Sequence, residues 1–304
     1  MFTFGQILQL LKGNIILKNI FSISLVMPKM ARWQVNLIDF FLNLMPLLQI
    51  RRANKIGRKA KGLINVAFVE ASTKETGLTV ELIGKKHLPK TGAVTIVANH
   101  PGGADVLATV LALGRERADT KILANQLICI EPVKTMLIPV DMMSKSKVDM
   151  SEVHQAYQDG KVIVFYAAGK NSRYNNDGLL RDRRWRTTFL ELAKQYNTPI
   201  NVLKIEGANS PLFYKVSKFR ESKSWLKNIP LENFFQLREI MEAKGVLKMY
   251  LSKSIHFDGF TKIKTKPDLR AKVDKLYAFI YTMNDDNLEF EQYEASVKSN
   301  ANNR

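Results

Sequence analysis

From residue 77 onward the apolar positions switch repeatedly between two periods. Leu78-Thr79-Val80-Glu81-Leu82-Ile83-Gly84 alternates every second residue and predicts a strand. Pro89-Lys90-Thr91-Gly92 predicts a turn, because proline fixes φ and glycine admits positive φ. Val94-Thr95-Ile96-Val97-Ala98-Asn99 is nearly continuous and β-rich, the pattern of a strand buried on both faces. Further strands are predicted at 120–124, 136–140, 162–166, 200–205 and 247–252. Between them, helical spacing covers 105–118, 148–159, 186–196, 231–244 and 268–283, with Gly160 placed to end the second of these. The alternation predicts an α/β domain over residues 77–283, with a mainly parallel sheet flanked by helices.

The two ends read differently. Residues 1–66 predict two or three helices, broken near Met27-Pro28 and the basic stretch 51–61. Their apolar runs are too short for a membrane span of roughly 20 residues, being interrupted by Lys12, Lys18 and Asp39. Basic residues inside the apolar stretch also argue against a secretory signal. Apolar helices carrying Lys and Arg are expected to lie in a membrane interface, so this segment reads as a basic amphipathic membrane-associating arm. The alternative is an ordinary helical cap on the main domain. Residues 284–304 are mildly acidic, end in Ser-Asn-Ala-Asn-Asn-Arg, and read as a disordered tail.

Charge sharpens this picture. The chain carries a net +18, and residues 1–65 hold ten Lys/Arg against the single acid Asp39. Such a bias points to an anionic membrane face, an acidic protein or nucleic acid. No nucleic-acid motif with interleaved aromatics is present, so nucleic acid is not the expected partner. A basic nucleic-acid-binding protein without catalysis is the rival reading from another class. One cysteine, Cys129, excludes an internal disulfide framework and a cysteine-based zinc site. The four histidines lack metal-ligand spacing, so no metal is expected.

The chemistry-bearing candidate is Asn99-His100-Pro101-Gly102-Gly103-Ala104-Asp105. A histidine five residues before an aspartate occurs twice. His154 and Asp159 form the other copy, inside a predicted helix. Five helical residues advance about 140°, so that pair faces apart. His100 instead follows a buried strand, the two glycines permit a sharp turn, and Asp105 opens a helix. Strand-to-helix turns of α/β sheets are where ligands bind. On spacing alone two readings stand: a base and its orienting acid, or a plain N-cap beside a packed histidine.

With its neighbours, the motif resembles the glycerolphosphate/lysophospholipid acyltransferase superfamily, marked by Asn-His-x4-Asp. Val80 to Gly92 resembles the strand and Leu-Pro-x-x-Gly turn that lead into the histidine. Met136-Leu137-Ile138-Pro139-Val140 stands where the second family block falls, and Pro199-Ile200 with Val202 where the fourth does. Tyr166-Ala167-Ala168-Gly169-Lys170-Asn171-Ser172-Arg173 is similar to the third, usually Phe-Pro-Glu-Gly-Thr-Arg-Ser. Ala168 replaces the family's Glu and Asn171 its Arg, the residues expected to hold an acceptor phosphate. Ala168, Gly169, Ser172 and Arg173 look like the hemolysin-like branch, which includes ornithine- and glycine-lipid acyltransferases. So do the stretch from Asp177 to Trp185 and Glu206-Gly207-Ala208-Asn209-Ser210. Tyr166-Ala167 departs from the Phe-Pro of that branch.

The resemblance implies acyl transfer from a thioester on coenzyme A or acyl carrier protein, used as co-substrate, with no resident cofactor. The acceptor is an amine or hydroxyl of amino-acid-lipid or lysophospholipid type. A phosphate-bearing lysophosphatidic acid is the alternative acceptor. His100 is the expected general base and Asp105 its orienting partner. Gly169, Lys170, Ser172 and Arg173 are the expected substrate-binding set. Asn99, Gly102, Gly103, Glu206 and Asn209 are expected in support, with backbone N–H groups of the Gly102–Asp105 turn meeting the oxyanion. The expected place is the cytoplasmic face of a membrane, held peripherally or monotopically, with acyl carrier protein as a partner.

Overall fold

The computed structural model describes residues 55–125, 129, 131–140, 149–224, 232, 235–256 and 263–302. The expected membrane-associating arm falls outside them except for residues 55–66. Within these, 55–59 form a short helical turn with Ile56 and Ala60 buried. Among the described residues, no helix is long and apolar enough to cross a membrane.

The core is a seven-stranded sheet. Its strands are β1 (Leu78–Ile83), β2 (Val94–Ala98), β3 (Lys121–Asn125), β4 (Leu137–Val140), β5 (Val162–Tyr166), β8 (Ile200–Ile205) and β9 (Gly245–Leu251). They lie in the order β1-β9-β8-β2-β5-β3-β4. β8, β2, β5, β3 and β4 run parallel. β9 is antiparallel to β8, and β1 is parallel to β9. The expected mainly parallel α/β sheet is thus present, with an edge pair running the opposite way. A two-stranded hairpin, β6 (Arg173–Tyr174) with β7 (Leu180–Arg181), stands apart from the sheet.

Period-two alternation sorts the strand side chains into two cores. Val97, Ile163, Phe165, Ile200 and Val202 face one layer. It is built from α3 (Ser151–Gln158), α4 (Thr188–Tyr196) and α7 (Lys266–Ile280). Ile96, Ala98, Val164, Leu203 and Ile205 face the other, built from α1 (Asn65–Thr76) and α2 (Asp105–Glu116). All five residues of β2 are buried, as expected of a central strand covered on both faces. Helix ends follow local chemistry. Gly160 at φ 71° ends α3, and a Thr265/Asp268 capping box with Pro267 in the first turn starts α7.

Three sequence expectations change. The helix expected over 231–244 is observed as α6 (Gln236–Met241). α5 (Pro211–Ser222) has no counterpart among the predicted helices; Ser210 caps it by accepting from the Phe213 N–H. Most important, the tail expected to be disordered forms α8 (Phe290–Asn302). Phe290 is buried against Phe279 with ring centroids 5.4 Å apart, and Glu294 pairs with Lys272 and Lys275 of α7. Glu294 thus meets cationic partners on α7, and Glu289 pairs with Lys253, which composition alone does not reveal. The domain also begins before residue 77, because Val69 of α1 sits in the second core.

Candidate active site

β5, β2 and β8 are adjacent and parallel, with Ala98 in register with Tyr166 and Leu203. The loops leaving their carboxyl ends, 99–104, 167–172 and 206–210, therefore meet. Asn99 fixes where the first loop starts. Its side-chain N–H donates to the Ile205 carbonyl at 2.9 Å, and its carbonyl accepts from the Ile205 N–H at 2.7 Å. The side chain thus adds one more rung to the β2–β8 ladder.

Gly102 and Gly103 adopt φ of 102° and 66°, which L side chains rarely take. They fold the loop so that Asp105, at the start of α2, reaches back to His100. His100 Nδ1 lies 2.7 Å from Asp105 Oδ2. The same Oδ2 accepts the Gly102 N–H at 2.8 Å, and Oδ1 accepts the Val106 N–H at 2.7 Å. A carboxylate accepting from all these groups requires the Nδ1–H tautomer, so the lone pair of neutral His100 is on Nε2. Among the described residues, no protein group is hydrogen-bonded to Nε2. The Asp105 side chain is 2% exposed and the His100 side chain 19%, so the acid is sealed while the imidazole stays reachable.

Burial opposes charge on His100, but the charge and hydrogen bond of Asp105 outweigh it, helped by Asp182 and countered by Arg173. The net result holds the imidazole above its ordinary value of 6.5. The Tyr166 ring packs on His100 at 4.6 Å between centroids. Its hydroxyl reaches Thr109 Oγ1 at 2.9 Å, and that hydroxyl in turn donates to the Asp105 carbonyl at 2.9 Å.

A second carboxylate organises the backbone of the histidine. Asp182 Oδ1 accepts the His100 N–H at 3.1 Å and the Ser172 hydroxyl at 2.5 Å; Oδ2 accepts the Trp185 indole N–H at 2.8 Å. Burial pushes the Asp182 carboxyl up, while hydrogen bonds from Ser172, Trp185 and His100 pull it down; burial prevails. The Ser172 N–H also donates to the His100 carbonyl at 2.7 Å.

The expected site residues divide accordingly. His100, Asp105, Asn99, Gly102, Gly103, Ser172 and Asn209 are brought together. Asn209 accepts the Gly103 N–H at 2.6 Å and donates to the Pro101 carbonyl at 3.4 Å. This narrows the expected oxyanion role of the turn to the N–H groups of Ala104 and Asp105, because those of Gly102 and Gly103 are engaged by Asp105 and Asn209. Ser172 is buried and bonded to Asp182 and His100, so its hydroxyl positions the loop rather than meeting solvent. Gly169 forms the turn after β5 at φ 64°, and Lys170 is exposed. Glu206 lies apart, half exposed, with Lys204 its nearest cation at 3.9 Å.

Arg173 also departs from expectation. Its guanidinium bonds Glu232 at 2.9 Å, Ser217 at 2.9 Å and the carbonyls of Asn171 and Ser172 at 3.0 and 3.1 Å. It stacks on Phe213 at 5.1 Å. A cation so fully engaged inside the protein is a brace, not an open anion receptor. Asn171 Nδ2, in contrast, is buried with no hydrogen-bond partner among the described residues. Sequence reasoning assigns no role to Asp182, Tyr166 or Glu232. Only Asp182 leaves a signal, a lone acid among Arg181, Arg183, Arg184 and Arg186. Among the described residues, no group of three or more His, Cys, Asp or Glu side chains is placed to hold a metal ion.

A buried strand leading into an Asp-oriented histidine, at the carboxyl ends of parallel strands, is a geometry able to support general-base chemistry on an α/β sheet. The sequence model of the acyltransferase family matches residues 28–285, and the chain belongs to that family. It is 31% identical to the lyso-glycine lipid O-acyltransferase of Bacteroides thetaiotaomicron over 163 residues, 52% of this chain and 60% of that one. It is 26% identical to the enzyme of the same name from Phocaeicola vulgatus over 213 residues, 68% of this chain and 75% of that one. The 1-acyl-sn-glycerophosphate (LPA) acyltransferase PlsC of Thermotoga maritima aligns over 80% of this chain and 87% of its own. That likeness has a TM-score of 0.40 and 14% identity, and nothing about acceptor or mechanism follows from it. Family membership sets aside the reading as a nucleic-acid binder without catalysis.

Proposed function

We propose that the protein transfers a fatty acyl group from a thioester, on acyl carrier protein or coenzyme A, to a hydroxyl of a lyso-lipid of amino-acid type. The observation that carries this is the 2.7 Å contact between His100 Nδ1 and Asp105, which leaves Nε2 as a base at the carboxyl end of β2. The names of both relatives, O-acyltransferases of lyso-glycine lipid, favour a hydroxyl over an amine. The acceptor O–H gives its proton to Nε2 as its oxygen attacks the thioester carbonyl. The tetrahedral oxyanion collapses, the C–S bond breaks, and His100 returns the proton to the leaving sulfur. The products are an ester and a free thiol, with no enzyme-bound acyl group. Asp105 holds the tautomer and stabilises the imidazolium between the two proton transfers.

Asn171 is neutral where a phosphate-reading member of the resembled family would carry Arg, and Arg173 is already paired with Glu232. Both features favour an acceptor without a phosphate. The work is placed at an anionic membrane surface, where a two-tailed product stays. The test offers lyso-glycine lipid, lyso-ornithine lipid and lysophosphatidic acid in parallel, with acyl carrier protein and coenzyme A thioesters as donors. Preferred ester formation on the amino-acid lipids is expected, and strongly reduced ester formation in His100→Ala. Preference for lysophosphatidic acid would overturn the acceptor reading, and full activity of His100→Ala the mechanism.

A further inference from the structure

Eight large hydrophobic residues are exposed among the described residues, and four of them fall in one module: Tyr174 55%, Leu179 48%, Leu212 37% and Phe219 53%. Tyr174 and Leu179 belong to the β6–β7 hairpin, and Leu212 and Phe219 to α5. The two pieces form one body. Tyr174 packs edge-on against Tyr214 at 4.8 Å, Arg173 bonds Ser217 of α5 at 2.9 Å, and Arg183 bonds Glu221 at 2.7 Å. The hairpin tip is held in shape: Asn175 Oδ1 accepts the N–H groups of Asp177 and Leu179 at 3.0 and 2.9 Å. The apolar groups are thus presented by ordered backbone.

Cations surround them. Lys215 and Lys218 are exposed on α5, and Lys170 and Arg184 are exposed just before and after the hairpin in sequence. Against them stand Asp177, in the hairpin turn, and Glu221, which Arg183 neutralises. Along α5 the exposed positions Leu212, Lys215, Lys218 and Phe219 follow helical spacing. Separated apolar tips among flexible lysines suit an interface, where the lysine stems lie down and their charges reach anionic head groups. The module also borders the base, because the Asn209 N–H donates to Tyr214 Oη at 3.1 Å while Asn209 holds Gly103.

We propose that the β6–β7 hairpin and α5 dock the protein onto an anionic lipid surface, with Leu179 and Phe219 entering the acyl boundary beside the His100 site. The inference rests on the proposed lipid acceptor, yet its readout does not depend on turnover. Leu179→Trp and Phe219→Trp in the full chain, mixed with vesicles of brominated phosphatidylglycerol and phosphatidylcholine, are expected to show several-fold more quenching than wild type. Thr91→Trp, in the turn at the amino end of β2, is expected to show none. Both docking positions are exposed, and an unchanged thermal midpoint verifies folding of each variant. Lys215→Glu with Lys218→Glu should lower the added quenching several-fold. No added quenching with vesicles present overturns the proposal. So does emission already blue-shifted without lipid, which would mean that other protein covers this face. A shift only with acyl carrier protein would reassign the face to that partner. Lipid contact without acyl transfer would leave docking standing and sink the enzymatic reading.

Discussion

Asp182 receives the backbone N–H of His100 at 3.1 Å and shares that oxygen with the Ser172 hydroxyl. His100, the proposed base, is therefore held at two points, its ring by Asp105 and its main chain by Asp182. Asp182→Asn places an amide N–H against one of three inward-pointing donors. It is expected to lower stability by about 1–3 kcal/mol, read as the urea midpoint, and to lower kcat more than it raises KM. A variant with unchanged kcat would show that Asp182 serves stability alone.

Removal of the base itself should act on the chemical step. His100→Ala is expected to reduce kcat by roughly 10²–10⁴-fold, with KM for the thioester little changed. Asp105→Asn should fall in the same range, because an amide can leave the imidazole in the wrong tautomer. Steady-state kinetics with a soluble thioester measure both.

The pH profile follows from the raised imidazole. A general base must be neutral, so kcat/KM should rise with pH through an ionisation above 6.5. In Asp105→Asn the largest upward influence is gone and burial remains, so the ionisation should move down. Stability runs the opposite way. A group whose folded pKa is raised contributes stability fully below its unfolded value, and loses it as pH rises through the folded one. The wild-type advantage in thermal midpoint over His100→Ala should therefore shrink from about pH 6 upward.

Gly102 is the least replaceable position of the loop. A Cβ there would collide with the side-chain amides of Asn209 and Asn171, and its φ of 102° strains any L residue. Gly102→Ala is expected to reduce kcat by about 10²-fold, since small misplacements near reacting groups have effects of that size. Single-turnover acyl transfer beside a thermal melt would register it. Near-normal turnover would mean that the loop relaxes around the methyl.

Arg173 separates a brace from a receptor. Arg173→Ala removes one cation from Glu232, a buried carboxylate that also bonds Arg220 at 2.8 Å. It should destabilise by about 1–3 kcal/mol with equal effects on neutral and anionic acceptors. A tenfold KM increase confined to anionic acceptors, at unchanged stability, would restore the reading as an anion site.

The strands of the central sheet are legible in the sequence because burial on both faces leaves unbroken β-branched runs, as at Val94–Ala98. The His100–Asp105 turn is legible because two glycines beside a proline, set between a buried strand and a helix start, force the chain to double back. What escapes is long-range partnership. Arg173 looks available in the sequence because Glu232 lies 59 residues away. Glu289 and Glu294 look solvated because their partners, Lys253 for the first and Lys272 and Lys275 for the second, are invisible to a local window. α5 escapes because its exposed face mixes Leu212 and Phe219 with lysines, which blurs an amphipathic stripe. For Gly102 and Gly103 the shape is legible and the chemistry is not, since their N–H groups serve the loop.

The rung that Asn99 adds between β2 and β8 has a kinetic consequence. A loop that must gather its own residues adds an ordering step to every turnover. Here the main chain entering His100 is clamped across two interior strands one residue earlier. The imidazole thus inherits the stiffness of the sheet, and the free enzyme already holds the geometry that the proposed proton transfer needs.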